Sequence, residues 1–271
     1  MKISAIIPTH NRAVLLNQAL KSIILEPFHE VIVIDNNSTD CTKYICMGYY
    51  RTVKYVFEPK QGLNFARNRG IKEASGEVLC FFDDDIIINP GYCEAVKNGF
   101  KGETFGGKII PIYETKKPKW MNKYLVGLVS GLDLGNKKRK FKKYPIGANM
   151  GFKKEIFDKH LFNPNLDRSG LSLIGGGEKD LFMRLKKNAE YLPDALVYHY
   201  ITNDRLTIKH IKKLSISIGA TYRKMYSLDK LLFMELFKWI ASIGLAVILR
   251  NKMMIVFRYW ILKGIIKKNS L

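Results

Sequence analysis

The chain has 271 residues, 47% hydrophobic, 25% charged and 12% aromatic, a globular composition large enough to bury a core without disulfide or metal staples. Disorder and a disulfide scaffold are excluded on that basis. Forty-five Lys and Arg against 24 Asp and Glu leave +21, which points to a polyanionic partner: nucleic acid, an anionic membrane face or a phosphorylated substrate.

From Lys2 to about Tyr200, short apolar runs alternate with amphipathic stretches, the layout of a mostly parallel sheet covered by helices. Lys2 to Ile7 reads as a buried strand, too short and too soon broken by Pro8 for a signal-peptide core. Leu15, Leu16, Ala19, Leu20, Ile23 and Ile24 then recur at helical spacing, with Asn11 as the expected N-cap. Glu30–Ile34 and Val53–Phe57 are the next strands. A helix is expected from Gly62 to about Ala74. A fourth strand, Glu77–Phe82, ends directly in Asp83-Asp84-Asp85. Functional residues therefore gather at the carboxyl ends of strands, where open α/β sheets bind ligands.

Past Phe105 the alternation loosens. Lys116 to Lys143 holds ten Lys or Arg against Asp133 alone, and is expected to be a mobile or partner-dependent insertion. A second basic region runs from Arg205 to the end, with fourteen Lys or Arg against two acids, so it carries +12 of the +21. Its longest uncharged apolar run, Trp239 to Leu249, is eleven residues, short of the roughly 20 a spanning helix needs. Basic amphipathic helices lying on an anionic membrane surface are therefore expected over 205–271. Cys41, Cys46, Cys80 and Cys93 make neither a C-x-x-C pair nor a zinc-spaced cluster, which fits a reducing cytosol. A peripheral protein on the inner face of the cell membrane is the resulting expectation.

Three adjacent carboxylates at a strand end repel one another, so a cation belongs beside them. Along extended chain Asp83 and Asp85 point one way and Asp84 the other. Few hard oxygen ligands suit Mg²⁺ or Mn²⁺ shared with phosphate oxygens; a solvated acidic turn is the plain alternative. Three further segments accompany the triplet: Pro8-Thr9-His10-Asn11-Arg12 after the first strand, Asp35-Asn36-Asn37-Ser38-Thr39-Asp40 after the second, and Ala66-Arg67-Asn68-Arg69-Gly70 before the fourth.

In this order the motifs resemble the inverting nucleotide-sugar glycosyltransferases of family 2, over most of residues 1–200. The resemblance implies the α/β GT-A fold over residues 1–204 as a catalytic domain, followed by the helical region 205–271. It implies a nucleotide-diphosphate sugar donor, a saccharide or lipid-linked saccharide acceptor, and Mn²⁺ or Mg²⁺. Pro8, Thr9 and Arg12 would lie along base and ribose, Asp35 would hydrogen-bond one of them, and Arg67 would face the diphosphate or brace the acidic motif. Asp83 and Asp84 would meet the donor, and Asp83, Asp85 and His199 the metal. Asn149, in Gly147-Ala148-Asn149-Met150-Gly151-Phe152, would touch the sugar or satisfy backbone groups.

Gly175-Gly176-Gly177-Glu178-Lys179-Asp180-Leu181 resembles the family's G-G-E-D-x-D-L segment but departs from it. Glu178 falls where the family has its catalytic Asp, and Gly177 where it has the preceding Glu. Glu178 is the expected base and Asp180 the alternative. Residues two apart do not share a helix face, so both should not point at the acceptor.

Other classes fit less well. No G-x-G-x-x-G opens the first helix and no G-x-x-x-x-G-K-[ST] occurs, which disfavours a dinucleotide oxidoreductase and a P-loop NTPase. A nucleotidyltransferase could use the same acidic motif. A nucleic-acid binder with Lys137–Lys143 as contact loop lacks any module signature, so no nucleic acid is expected as partner.

Overall fold

A computed structural model describes residues 1–141, 144–166 and 175–266. They form two compact units. The first comprises Met1–Ile112, Ser130–Asn165 and Gly177–Tyr200; the second takes the described residues of Tyr113–Val129, Leu166–Gly176 and Ile201–Leu271.

The first unit is built on one mixed sheet. Its strands are β1 (Ile3–Thr9), β2 (Glu30–Asp35), β3 (Val53–Phe57), β4 (Val78–Phe82), β5 (Ile86–Ile88), β6 (Thr104–Tyr113), β7 (Arg139–Lys140), β8 (Asn149–Lys153) and β9 (Glu190–Ile201). The order is β3-β2-β1-β4-β8-β6-β9-β5, with β7 paired to β9. β3, β2, β1 and β4 are parallel, and β8 joins β4 antiparallel. Helices α1 (Ala13–Ile23), α2 (Thr42–Gly48), α3 (Leu63–Glu73), α4 (Tyr92–Gly99) and α5 (Gly177–Leu185) cover it.

The central strands are continuous apolar runs because both of their faces are covered. Ile3, Ala5 and Ile7 of β1 pack in one cluster with Leu16, Ala19, Leu20 and Ile23 of α1. Ile6, between them, joins Ala66 and Ile71 of α3 on the opposite face. β4 divides the same way: Val78, Cys80 and Phe82 point to the first cluster, Leu79 and Phe81 to the second. Period-two alternation thus survives inside a run that shows none in its composition.

Local chemistry differs from expectation at the start of α1. Asn11 is not its N-cap: it adopts φ 52°, and its side-chain oxygen accepts from the Thr39 amide at 2.7 Å. The first-turn amide of Ala13 donates instead to Asp40 at 3.0 Å. The two loops after β1 and β2 are therefore laced together, which an isolated capping rule does not see. Segment 116–140 is not a loose insertion. Met121, Leu125 and Val129 are buried, Leu132 bridges Ile109, and Arg139–Lys140 pair with Tyr191 and Glu190. Its apolar residues, spaced between the lysines, supply the packing; Lys142 and Lys143 lie outside the described residues.

The second unit contains α6 (Ile208–Met225), α7 (Leu228–Ile248) and α8 (Met253–Ile266). α6 and α8 cross closely at Gly219 and Gly264, where a Cβ would collide with the carbonyl oxygens of Ile261 and Ile216 respectively. α7 also departs from expectation. It is 21 residues long, its most apolar stretch of 18 residues has mean hydropathy 1.9, and it is long and apolar enough to cross a membrane by length and composition. Counting uncharged residues stops at Lys238, but Lys238 and Glu235 pair at 2.7 Å on the helix, so the apolar helix continues through them. Its apolar residues are not confined to one face. The helix is apolar on its exposed side and partly polar on its buried side, the reverse of a surface amphipathic helix.

Candidate active site

The acidic triplet occupies the turn between β4 and β5. Asp84 and Asp85 are buried, at 4% and 3% exposure, and Asp83 is half-buried. Asp84 accepts from the Thr9 hydroxyl at 2.7 Å, because the parallel β1–β4 pairing brings the carboxyl end of β1 beside the triplet. Arg12 bridges the next two acids, Nη1 to Asp84 at 2.8 Å and Nη2 to Asp85 at 2.6 Å. Burial pushes Asp84 up to about 7, with Arg12 pulling it down and Asp85 and Asp83 pushing it further up. For Arg12, burial favours the neutral form, but the three aspartates outweigh it and raise the guanidinium above its ordinary value.

His199 reaches the same place through sheet register. β5 pairs antiparallel with β9, setting Ile86 opposite His199, and the Tyr200 amide donates to the Asp85 carbonyl at 2.8 Å. The fully buried imidazole Nε2 then lies 2.8 Å from Asp85 Oδ1. Asp83, Asp85 and His199 offer ligand atoms that all lie within 4.8 Å of one another. Two carboxylates and one imidazole suit a divalent ion that keeps other positions for phosphate oxygens or water, so the residues present fit Mn²⁺ or Mg²⁺.

A second cluster surrounds Glu178 in the first turn of α5, where the positive end of the helix dipole favours a carboxylate. Arg67 of α3, only 2% exposed, meets Glu178 Oε1 at 2.8 Å. The same guanidinium stacks over Phe162, 5.1 Å from the ring centroid, and lies 3.4 Å from Asn64 Oδ1. Asp180 turns elsewhere, to Arg184 at 2.7 Å one turn along the helix. The two candidate bases are thus on different faces, as their spacing requires.

Gly147 lies against this pair. A Cβ there would collide with both Glu178 Oε1 and Arg67 Nη2. Gly147→Ala is therefore expected to lower activity by about tenfold or more while costing about 1–3 kcal/mol in stability, measured by initial rates beside denaturant unfolding. Activity equal to the parent's would show that the Arg67–Glu178 contact is dispensable.

Other expected residues have different surroundings. Asp35, 2% exposed, accepts from the Ser38 amide at 2.9 Å and the Tyr55 hydroxyl at 2.7 Å. Burial, then the bond to Asp35, raises the Tyr55 phenol. Pro8 is the penultimate residue of β1, paired with Ile34, beside Asp35 at the end of β2. Asn149 is fully buried. Its amide donates to the carbonyls of Ala195 at 2.8 Å and Lys108 at 3.1 Å, and its oxygen accepts from Tyr92 at 2.7 Å. Of its two readings, the bonding is that of a residue tying strands together. Asn149→Ala is expected to cost about 2–4 kcal/mol, from buried groups left unpaired; a change below 0.5 kcal/mol in denaturant unfolding would contradict this.

Arg12 and Arg67 have partners other than those first expected. Arg12, expected along the nucleoside, braces the acidic triplet; Arg67, expected at the diphosphate or the triplet, braces Glu178. Asn64 and Phe162 carried no motif signal. Asn36 stands within the second segment without an assigned role, yet it ties the loop after β3 to the site: it donates to the Lys60 carbonyl at 2.7 Å and accepts from the Gly62 amide at 2.7 Å. Gly62 holds φ 146°, a region that disfavours a side chain.

Comparison with known proteins agrees with this architecture. Residues 4–161 match the family model described as Glycosyl transferase family 2. The chain is 30% identical over 219 residues to the GalNAc(5)-diNAcBac-PP-undecaprenol beta-1,3-glucosyltransferase of Campylobacter jejuni, covering 76% of this chain and 67% of that enzyme. Among solved structures, the mannosyltransferase PcManGT of Pyrobaculum calidifontis, in complex with GDP-Man and Mn²⁺, is similar with TM-score 0.57 and 18% identity. That likeness covers all of this chain and 76% of PcManGT. GalNAc-T7 with UDP, GalNAc and Mn²⁺ is similar with TM-score 0.60 and 17% identity, over 80% of this chain and 47% of that one. At these identities the structural likeness is one of fold, and the chain spans between about half and three quarters of the length of these proteins. With the family match extending over more than half of its residues, the chain belongs to glycosyl transferase family 2 and is a glycosyltransferase of the GT-A fold.

Proposed function

We propose that the chain transfers a sugar, with inversion at the anomeric carbon, from a nucleoside-diphosphate sugar to a hydroxyl of a lipid-linked saccharide. The reading rests above all on the donor set Asp83, Asp85 and His199, whose ligand atoms lie within 4.8 Å of one another at the carboxyl end of the parallel strands. These three residues would hold Mn²⁺ or Mg²⁺. The chemistry supplied there by a bound divalent ion is Lewis-acid relief of the charge that gathers on the diphosphate as it leaves.

The protein's own groups do the rest. Thr9 and Arg12 keep Asp84 and Asp85 in place. Pro8, Thr9 and Asp35 lie along the nucleoside, since a carboxylate accepting two hydrogen bonds still has lone pairs for a base N–H or ribose hydroxyl. Glu178, oriented by Arg67, accepts the proton of the acceptor hydroxyl as its oxygen bonds to the anomeric carbon and the bond to the phosphate oxygen breaks. Asp180, turned to Arg184, is the second choice for that task.

The acceptor class follows from the Campylobacter relative, whose name specifies a saccharide on undecaprenyl pyrophosphate. A lipid-borne acceptor calls for an enzyme near a membrane. The basic region 205–271 is assigned that duty at the cytoplasmic face, with 1–204 as the catalytic part. The test incubates purified full-length protein with Mn²⁺ and a panel of UDP- and GDP-sugars, with lipid extract as acceptor source, and measures nucleoside diphosphate release. Metal-dependent release from one donor is expected. No release from any donor, with Mg²⁺ or Mn²⁺, would contradict the proposal.

A further inference from the structure

The second unit carries an arrangement that its charge does not explain. On α7 the buried positions include Glu235 at 1% and Ser242 at 4% exposure, while Phe233, Leu236, Phe237, Ile240, Val247 and Ile248 are 57–77% exposed. In water this is an unfavourable distribution; burying the apolar stripe and exposing the acid would be the ordinary choice. The inward acid is matched instead: Glu235 meets Lys238 at 2.7 Å and Arg258 of α8 at 3.6 Å. Folding thus fixes the polar face inward and leaves the apolar stripe without a partner among the described residues.

Cations flank the stripe at both ends. Lys224 and Lys230 are exposed near the start of α7, and Arg250 and Lys252 immediately after its end. At that end lies a cleft of about 300 Å³ lined by Lys119, Trp120, Arg250, Lys252, Leu249 and Met253. The cleft wall is strapped: Asn251 donates to the Trp120 carbonyl at 2.7 Å, and Asn122 approaches Met254 Sδ at 3.7 Å. Arg250, with φ 48°, makes the turn that separates α7 from α8. Three cations around a cleft that also carries Trp120, Leu249 and Met253, at the end of an apolar helix face, match a phospholipid: phosphate at the cations, acyl chain alongside.

We propose that α7 enters one leaflet of an anionic bilayer by its outer stripe, and that the Lys119–Arg250–Lys252 cleft takes the phosphate of an anionic phospholipid headgroup. This deepens the membrane reading above and rests on it. Surface charge alone would give attachment that salt removes; an inserted stripe gives attachment that salt only weakens. The polar interior lets the helix present hydrocarbon outward, and the cleft sets how deep it sits.

The experiment is co-sedimentation of the full chain with vesicles of phosphatidylcholine alone and of phosphatidylcholine with phosphatidylglycerol, at low and high salt. Parent protein is expected to bind the anionic vesicles and to remain partly bound in high salt. Phe233→Ser/Phe237→Ser/Ile240→Ser, which alters exposed side chains only, should reduce partition about tenfold or more and abolish the salt-resistant fraction, with donor hydrolysis in solution unchanged. Arg250→Gln/Lys252→Gln should weaken binding to anionic vesicles by about fivefold per charge removed and change little on neutral ones. Soluble glycerol phosphate should not compete. If high salt strips the parent completely and the triple variant binds as the parent does, the inference falls while the membrane reading stands. If no vesicle binds the parent, both fall. A triple variant that changes only from dimer to monomer on gel filtration, with vesicle binding intact, assigns the stripe to a second copy and overturns the proposal.

Discussion

Replacing Glu178 with Gln is expected to lower sugar transfer by about 10²–10⁴-fold, the range that a positioned general base contributes. The substitution keeps the side chain's length and its oxygen toward Arg67, so the loss measures basicity and not shape. Arg67 is 98% buried and held by Phe162 and Asn64 as well, and it loses an ion-pair partner in the variant. A stability cost of about 1–3 kcal/mol is therefore expected beside the kinetic one, and the two separate when rates are taken well below the unfolding midpoint. Michaelis constants for the donor should change little, because the group acts on the acceptor. Equal kcat in parent and variant would move the base to Asp180, whose own substitution, Asp180→Asn, would then carry the large effect.

Asp85→Asn is expected to lower transfer by at least about 10²-fold, and to act through the donor side. Asp85 is the meeting point of three interactions: Arg12 at 2.6 Å, His199 at 2.8 Å, and the Tyr200 amide on its backbone carbonyl. The backbone bond survives the substitution and keeps β9 in register. What is lost is a negative ligand from the donor set and half of the clamp on Arg12. Donor binding and rate should therefore fall together, in contrast to Glu178→Gln. A variant whose donor affinity matched the parent's would mean that Asp85 serves only to neutralise Arg12.

These two residues illustrate what single-chain reading reaches. The parallel strands were legible because β1, β2 and β4 are covered on both faces and so appear as apolar runs ending in polar turns. The acidic triplet was legible as an electrostatic oddity, and His199 only through the resemblance to the family. Their proximity was not, since it depends on Ile86 pairing with His199 over more than a hundred intervening residues. The same applies to Arg12, which reads as a loop residue until the β1–β4 pairing sets it against Asp84 and Asp85. Arg67 and Glu178 are 111 residues apart. Gly147 is space reserved for their contact, which nothing in its local sequence announces. In the second unit the charge count was legible, but the orientation of α7 was not: it buries Leu231, Glu235, Ser242 and Ala246, and Glu235 meets Arg258 on a neighbouring helix.

The central claim is that the acidic triplet and His199 hold a nucleoside diphosphate through a divalent ion. Thermal unfolding with UDP or GDP, in Mn²⁺ and in chelator, tests it most directly, because a ligand of the native state must raise its midpoint. One diphosphate is predicted to stabilise the parent in Mn²⁺ only, and to leave Asp85→Asn unmoved. Stabilisation of equal size in chelator, or in that variant, would contradict the account.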